Sequence, residues 1–401
     1  MHQRVLIIGL ISLSLIVLPS TSQAIQAGDV CKKRGAVKKS GGKTFTCVKK
    51  GKKSVWRTQN SSAQAAAPIP APTATATPLP TKVLPSEPKT LSDITSYDQV
   101  TYWAWKKSSD VIKGSESKVK QLKVLIGPNS GILNKNPLEA TEITSKLYSN
   151  FTQPKTLTFI SFSYQDIDWA QNLINTGIND EVLLNLIQAP NRGGKENAKG
   201  SCPTEDRCHS SQPFSNRVGD SIIIAGFTPS RVNNEEETKG QLQSHEFTHV
   251  IQQQQFIGSP RELEGLASLK QHIPWWLVEG GADFGGFASK YYLSYEDYLQ
   301  ARMRNVLRSP KRDKAWFEAF INPESNQFWI QYDSSGEIYN VGFLITEIMS
   351  AIKGPGVQMD IIKLIAGGKS MDEAFESIFG GSWKSAVTAI AELISKERAR
   401  Y

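Results

Sequence analysis

The pattern of apolar and polar positions divides the chain before any chemistry is considered. Val5 to Leu18 is one uncharged apolar run, preceded by Arg4 and ended by Pro19. It is short for a membrane span. With Ser22-Gln23-Ala24 behind it, it reads as an export signal over residues 1–24, an uncleaved anchor being the alternative. Further on, Leu122–Ile126, Leu157–Phe162 and Ser221–Ala225 are short apolar runs that predict strands, and Asp168–Thr176 predicts a helix. From about Glu235 the spacing is helical almost to the C-terminus, with breaks at Gly258–Ser259, Asn322–Ser325 and Gly354–Gly356. Strands first and helices later predict an α+β fold, a mixed sheet followed by a mostly helical part.

Composition adds a second division. Residues 25–57 are β-prone runs separated by Gly and Lys, which predict a small β module with Phe45, Val48, Val55 and Trp56 as its core. Residues 58–90 are rich in Ala, Pro and Thr and predict an extended linker, leaving 91–401 as the main domain. At 39% hydrophobic and 21% charged, the chain has the material for a sizeable core.

The net charge of +8 is concentrated in the first module. Cys31 to Arg57 holds eleven Lys or Arg, with Asp29 the only acid close by, so everything outside residues 29–57 is net acidic by two. A basic module on an exported chain suggests an anionic partner, a cell-wall polymer or a membrane surface, with a plain soluble patch as the alternative. Nucleic acid is not expected, because no stacking or fold motif accompanies Phe45 and Trp56. The four cysteines form two local pairs, Cys31 with Cys47 and Cys202 with Cys208. Neither spacing suits a Cys₄ metal site, so two short-loop disulfides are expected.

The candidate chemistry lies at His245-Glu246-Phe247-Thr248-His249. Histidines four apart share one helix face and can offer two nitrogens to one zinc ion. Glu246, rotated by about 100°, falls beside that ion as a general base. Glu279, in Trp275-Trp276-Leu277-Val278-Glu279-Gly280-Gly281-Ala282-Asp283, is the candidate third ligand, and Asp283, one turn on, can accept the free N–H of His245. Gly280, Gly281 and Ala282 would let this second helix approach the first closely.

These residues resemble the gluzincins, zinc metallopeptidases of thermolysin-like and aminopeptidase-like type in which HExxH is completed by a downstream Glu. The resemblance covers residues 242–288, and more weakly Tyr339–Leu344, Ser370–Phe375 and Phe379-Gly380. It implies one Zn²⁺ held by His245, His249 and Glu279, Glu246 as catalytic base, Asp283 behind a ligating histidine, and Tyr339, ahead of a helix, as donor to the oxyanion. Tyr332 is the rival for that last role. It also implies that the strand before the metal helix, Ser221–Ala225, is an edge that pairs with substrate, the alternative being a buried central strand. Twenty-nine residues separate His249 from Glu279, more than in the best-known members, and Gly258–His272 is expected to loop out. No Gly-x-Met-Glu-Asn motif precedes the metal helix, so an exopeptidase is not implied.

The expected function is therefore a secreted zinc-dependent peptidase acting on peptides or proteins. An inactive zinc-binding relative, or a surface-binding protein that works through the basic module, is the alternative.

Overall fold

In the computed structural model the chain divides into two compact units at Thr81/Lys82. The structure describes residues 26–27, 29–40, 43–50, 53–58, 84–130, 137–188, 197–208, 211–227, 240–262, 266–322 and 336–401. The export signal, most of the linker, residues 323–325 and Tyr332 lie outside them.

The first unit is an antiparallel sheet, β1 (Val37–Ser40), β2 (Lys43–Lys50) and β3 (Lys53–Thr58), closed by the Cys31–Cys47 disulfide. Its core is Cys31, Phe45, Cys47 and Trp56, with Ala36 against them. Val48 and Val55 are not in that core. They pair with each other on the opposite face, because side chains alternate along a strand and Val48 follows the inward-facing Cys47. That face also carries Lys39, Lys50, Lys53 and Arg57, all exposed.

The second unit is α+β, with a mixed sheet followed by a mostly helical half. Its sheet contains β4 (Gln121–Ile126), β5 (Thr156–Ser163), β6 (Ser211–Ser215) and β7 (Asp220–Phe227) in the order β4-β5-β7-β6. The β4–β5 and β5–β7 pairs are parallel, and β6 returns antiparallel to β7. Ser221–Ala225 is thus a central strand and not the edge. Every residue from Ser221 to Phe227 is buried, since helices cover both faces. On one face Ile222 and Ile224 meet α3 (Ile167–Gly177), α4 (Glu181–Gln188) and α5 (Asn197–Ser201). On the other, Ile223 and Ala225 join the main core. The edge beside β7 is β6, preceded by the Cys202–Cys208 disulfide, whose sulfurs pack on Gly226, and β4 is the other edge. Pro213 lies within β6, as an edge strand permits.

The main core is built by α1 (Tyr97–Gly114), α2 (Pro137–Leu147), α6 (Gln241–Gln254), α7 (Leu266–His272), α8 (Trp275–Lys290), α9 (Tyr295–Arg308), α10 (Lys314–Ile321), α11 (Glu337–Lys353), α12 (Val357–Ala366), α13 (Met371–Phe379) and α14 (Trp383–Ala399). Residues 266–272, expected in a loop, are helical. Residues 84–90, expected in the linker, lie on α1: the Trp103 indole donates to the Pro85 carbonyl at 2.9 Å, and Lys107 pairs with Glu87 at 2.9 Å. Among the described residues no helix is long and apolar enough to cross a membrane.

Two contacts fix the helical half. A Cβ on Gly280 of α8 would collide with the backbone of Gly342 in α11, and one on Gly342 with the Trp276 carbonyl, so these helices touch along their backbones. Farther along α8, Gly285 and Gly286 face Thr248, Gln241 and His245 of α6. Of the small residues expected to meet α6, Gly280 lies instead against α11 and Gly281 against the Gln358 and Gln252 side chains, and the close backbone approach to α6 is made by Gly285 and Gly286, which the sequence reading did not single out. The second contact is ionic and buried. Arg302 of α9 donates from Nε and Nη2 to the Glu347 carboxylate of α11 (3.0 Å each) and from Nη1 to Glu397 of α14 (2.9 Å), while Tyr298 donates to Glu347 at 2.7 Å. Removing one partner of such a group leaves a buried charge uncompensated. Arg302→Met should lower the unfolding free energy by about 3–5 kcal/mol in urea titrations. A loss below about 1 kcal/mol would show that the two glutamates find other partners.

Candidate metal centre

α6 runs from Gln241 to Gln254 with its interior almost wholly buried, so both histidines and Glu246 sit in protein and not in bulk solvent. His245 Nε2 and His249 Nε2 are 3.1 Å apart. Glu279 reaches them from the first turns of α8, its Oε2 standing 3.2 Å from His249 Nε2 and 3.7 Å from His245 Nε2. The two imidazole nitrogens and this carboxylate form a buried group that could hold one metal ion. The fit can be tested by distance. Donors about 2.0–2.1 Å from a tetrahedral ion stand roughly 3.3–3.4 Å from one another. The three observed separations bracket that value.

The outer nitrogens are held as well. His245 Nδ1 lies 2.8 Å from Asp283 Oδ1, the partner expected from the sequence. His249 Nδ1 lies 2.8 Å from Gln252 Oε1, which the sequence reading missed. The signal was present: Gln252 is three residues on from His249 and shares its helix face. Gln252 is itself pinned, donating to the Val278 carbonyl at 2.9 Å and to Gln358 Oε1 at 3.3 Å. With Nδ1–H donated to these acceptors, a neutral imidazole at either position would offer its Nε2 lone pair to an ion.

Lys270 is the second missed residue. Its Nζ lies 3.0 Å from Glu279 Oε1 and 4.4 Å from the centroid of the Trp275 ring. Lys270 comes from α7, inside the stretch read as a loop, so nothing marked it out. Its effect is specific. It occupies one oxygen of Glu279 and leaves Oε2 as the one that meets the histidines.

The charges are strongly shifted. Burial alone would raise Glu279, but His249, His245 and Lys270 outweigh it and hold its carboxyl well below the ordinary range. Burial pushes Glu246 up, against the pull of His245 and His249. For His245 burial favours the neutral ring, yet its bonds to Asp283 and Glu279 prevail and raise it well above an ordinary imidazole.

Of the three candidate ligands, His245 lines a cleft of about 460 Å³, with His249 and Glu279 buried behind it. His245, Glu246 and Asp283 line it on the α6–α8 side, with Tyr339 and Asn340 from α11 and Ser211 from the edge strand β6. Tyr339 lies inside the first turn of α11, not ahead of it, and stacks over His245 with ring centroids 6.1 Å apart. Three residues later Gly342 makes the backbone contact with α8, so the Tyr-Asn-Val-Gly spacing lets one helix both cross α8 and bring a phenol to the cleft. All six residues singled out in the sequence, His245, Glu246, His249, Glu279, Asp283 and Tyr339, thus come to one place.

No protein-family model, curated protein or solved structure matches this chain.

A ligating imidazole must be neutral, and in the metal-free protein His245 holds its proton to higher pH than usual. Metal uptake near neutrality must therefore expel that proton, and affinity should rise with pH until His245 is deprotonated. Asp283→Ala should weaken metal binding by about 10–100-fold at high pH. It should also flatten the pH dependence near neutrality, because the proton is then held less tightly. Competition titrations against a chelator at several pH values read both, and an unchanged affinity and slope would remove Asp283 from the centre.

Proposed function

We propose that this chain is a secreted zinc-dependent peptidase of gluzincin type. The observation that carries the reading is the convergence of His245, His249 and Glu279 on one point, with Glu246 beside them on a cleft. Two nitrogens and one carboxylate oxygen, each histidine backed by an acceptor, make a donor set suited to zinc. The two disulfides accord with an extracellular location.

A zinc ion held there would supply Lewis-acid activation of a water and of the scissile carbonyl. The remaining work falls to the chain. Glu246 takes the proton of the attacking water at its carboxylate and passes it to the departing amine. Its burial, with a pKa pushed upward, suits a group that must both accept and release a proton. Tyr339 donates its phenolic O–H to the oxygen that gains charge as water attacks. Asp283 and Gln252 keep His245 and His249 oriented, and Lys270 keeps Glu279 turned with one oxygen inward. Ser211 places the start of the β6 edge at the cleft. The Asn216–Asp220 hydrogen bond sets the alternation of the β6–β7 ladder, which turns the backbone groups of Ser211 outward, where an extended peptide could pair with them.

Glu246→Gln should keep the metal and the fold and lower peptide turnover by about 10²–10⁴-fold. Turnover of a mixed peptide library by the zinc-loaded protein is the measurement. Activity within a few-fold of the parent would assign the proton transfer elsewhere.

The first unit supports a second, separate role: attachment to an anionic polymer or membrane surface. One sheet face presents Lys39, Lys50, Lys53 and Arg57 around Val37, Val48 and Val55. Retention of the full chain on an acidic cell-wall polymer should fall as salt rises. Changing those four residues to Gln should remove most of the retention at low salt. Equal retention by both proteins would reduce the charge to a solubility feature.

A further inference from the structure

The proposed chemistry uses one side of the cleft and leaves the other without a task. That second side is the last turn of α9, where Arg304, Asn305 and Arg308 line the cleft together with His245, Glu246 and Asp283. Residues 304 and 308 are one helical turn apart and 305 lies beside them, so the three form a continuous patch. The Arg304 guanidinium lies over the Phe287 ring, 5.0 Å from its centroid, which restricts where it can point. Arg308 also complements the C-terminus of its own helix, an ordinary reason for an arginine in that place. Asn305 has no such account. It is 1% exposed, and among the described residues its side-chain amide nitrogen has no hydrogen-bond partner. A buried donor left unsatisfied is costly, and an acceptor entering the cleft would satisfy it.

The backbone adds to the same polarity. α6 and α11 both begin at this cleft, from Gly240 and Gly336, each a left-handed N-cap without a side-chain cap. Gln241 and Gly336 are among the lining residues. The positive ends of two helices therefore accompany the two guanidinium groups. Among the described residues that line the cleft, the acids Glu246 and Asp283 stand on the metal side, and Asp283 is engaged by His245. Charge is thus segregated across the cleft.

We propose that Arg304, Asn305 and Arg308 form a carboxylate subsite, so that the cleft selects peptides bearing an acidic group near the bond presented to Glu246. The proposal rests on the peptidase reading for the nature of its ligand. An Asp or Glu side chain and a free C-terminal carboxylate offer the same chemistry, two oxygens that a guanidinium can grip while the Asn305 amide donates to one of them.

The test uses the zinc-loaded full chain and two series of matched fluorescent peptides. One series exchanges Glu for Gln at each position in turn, and the other exchanges a free C-terminus for an amide. The carboxylate member of a pair should be favoured by about tenfold in kcat/KM, and about tenfold in Kd for the Glu246→Gln variant, read by anisotropy. A preference confined to the first series assigns the subsite to side chains, and one confined to the second assigns it to the chain terminus. Arg304→Gln with Arg308→Gln should bring the ratio close to one, and the two Lys variants should keep part of it. Zinc content and melting temperature check that each variant folds, and the ratio in the parent protein decides even where a variant does not. Peptides cut without regard to charge would overturn the subsite and leave the peptidase reading standing. If no peptide is cut, the peptidase reading fails. The subsite is then judged by binding to the zinc-loaded Glu246→Gln chain, where equal affinity for both members of every pair overturns it.

Discussion

Backbone contact between α8 and its two neighbours is the constraint on which the site depends. Glu279 is five residues into α8, and its carboxylate must reach two imidazoles that project from α6. Close approach of the two helices shortens the gap that a side chain of that length has to span. Glycine supplies the closeness twice over. Gly285 and Gly286 bring α8 onto α6 at the level of Thr248 and His245, and Gly280 brings it onto α11 at Gly342. The same crossings fix two further residues. Asp283 lies between the two glycine contacts on α8 and falls beside His245, and Tyr339 lies one turn before Gly342 and falls over the same ring. The candidate metal ligand Glu279, the acid behind His245 and the Tyr339 phenol are placed by packing between main chains, which leaves little freedom for any of them to drift.

That packing creates an electrostatic problem, because it buries Glu246, Glu279 and two histidines within a few ångströms. The structure answers each group locally. Glu279 is compensated by Lys270 as well as by the histidines, His245 by Asp283, and His249 by a neutral amide, Gln252. The asymmetry is informative. A second carboxylate behind His249 would add charge to a region that already holds three acids, whereas Gln252 orients the ring without adding any. Among the described residues Glu246 has no ion-pair partner apart from the pull of the two histidines, and burial shifts it toward the protonated form. The residue proposed to move a proton is the one left least fixed in its charge.

The sequence was legible where one residue type at one spacing has one physical meaning. The histidines four apart, the carboxylate that follows the first, and Asp283 one turn on from Glu279 follow from helix periodicity, while Glu279 as the third member of the group follows from the gluzincin resemblance, and they come to one place. The three strands read from apolar runs appear as β4, β5 and β7 within a residue or two. What escaped was set by tertiary context. β6 is polar and interrupted by Pro213, which only an edge position explains. The central place of β7 could not be told from an edge by its apolar run, because pairing partners are not written in it. Lys270 lay in a stretch without periodic signal, and its meaning comes from a glutamate nine residues later. In the small unit Val48 and Val55 were grouped with Phe45 and Trp56 by hydrophobicity alone. Strand alternation forbids that grouping, and the valines belong to the charged face.

That face and the last turn of α9 illustrate one principle at two scales. In both, cations are held beside apolar or aromatic surface: Lys and Arg around valines on the sheet, and Arg304 against Phe287 in the cleft. An apolar neighbour excludes water from one side of a cation, so its field toward the open side is less screened than that of a fully solvated charge. The sheet face spreads such charges over an open surface, where they can meet a polymer or bilayer at many points and with little geometric demand. The cleft gathers two of them with the Asn305 amide in a confined volume, where a ligand must present its oxygens in one place. Surface charge of the first kind governs where a protein accumulates, and its strength follows ionic strength. Charge of the second kind discriminates between ligands, because removing one carboxylate leaves a fixed and partly desolvated site unmatched. The outward acidity of the rest of the chain therefore says little about what its cleft accepts.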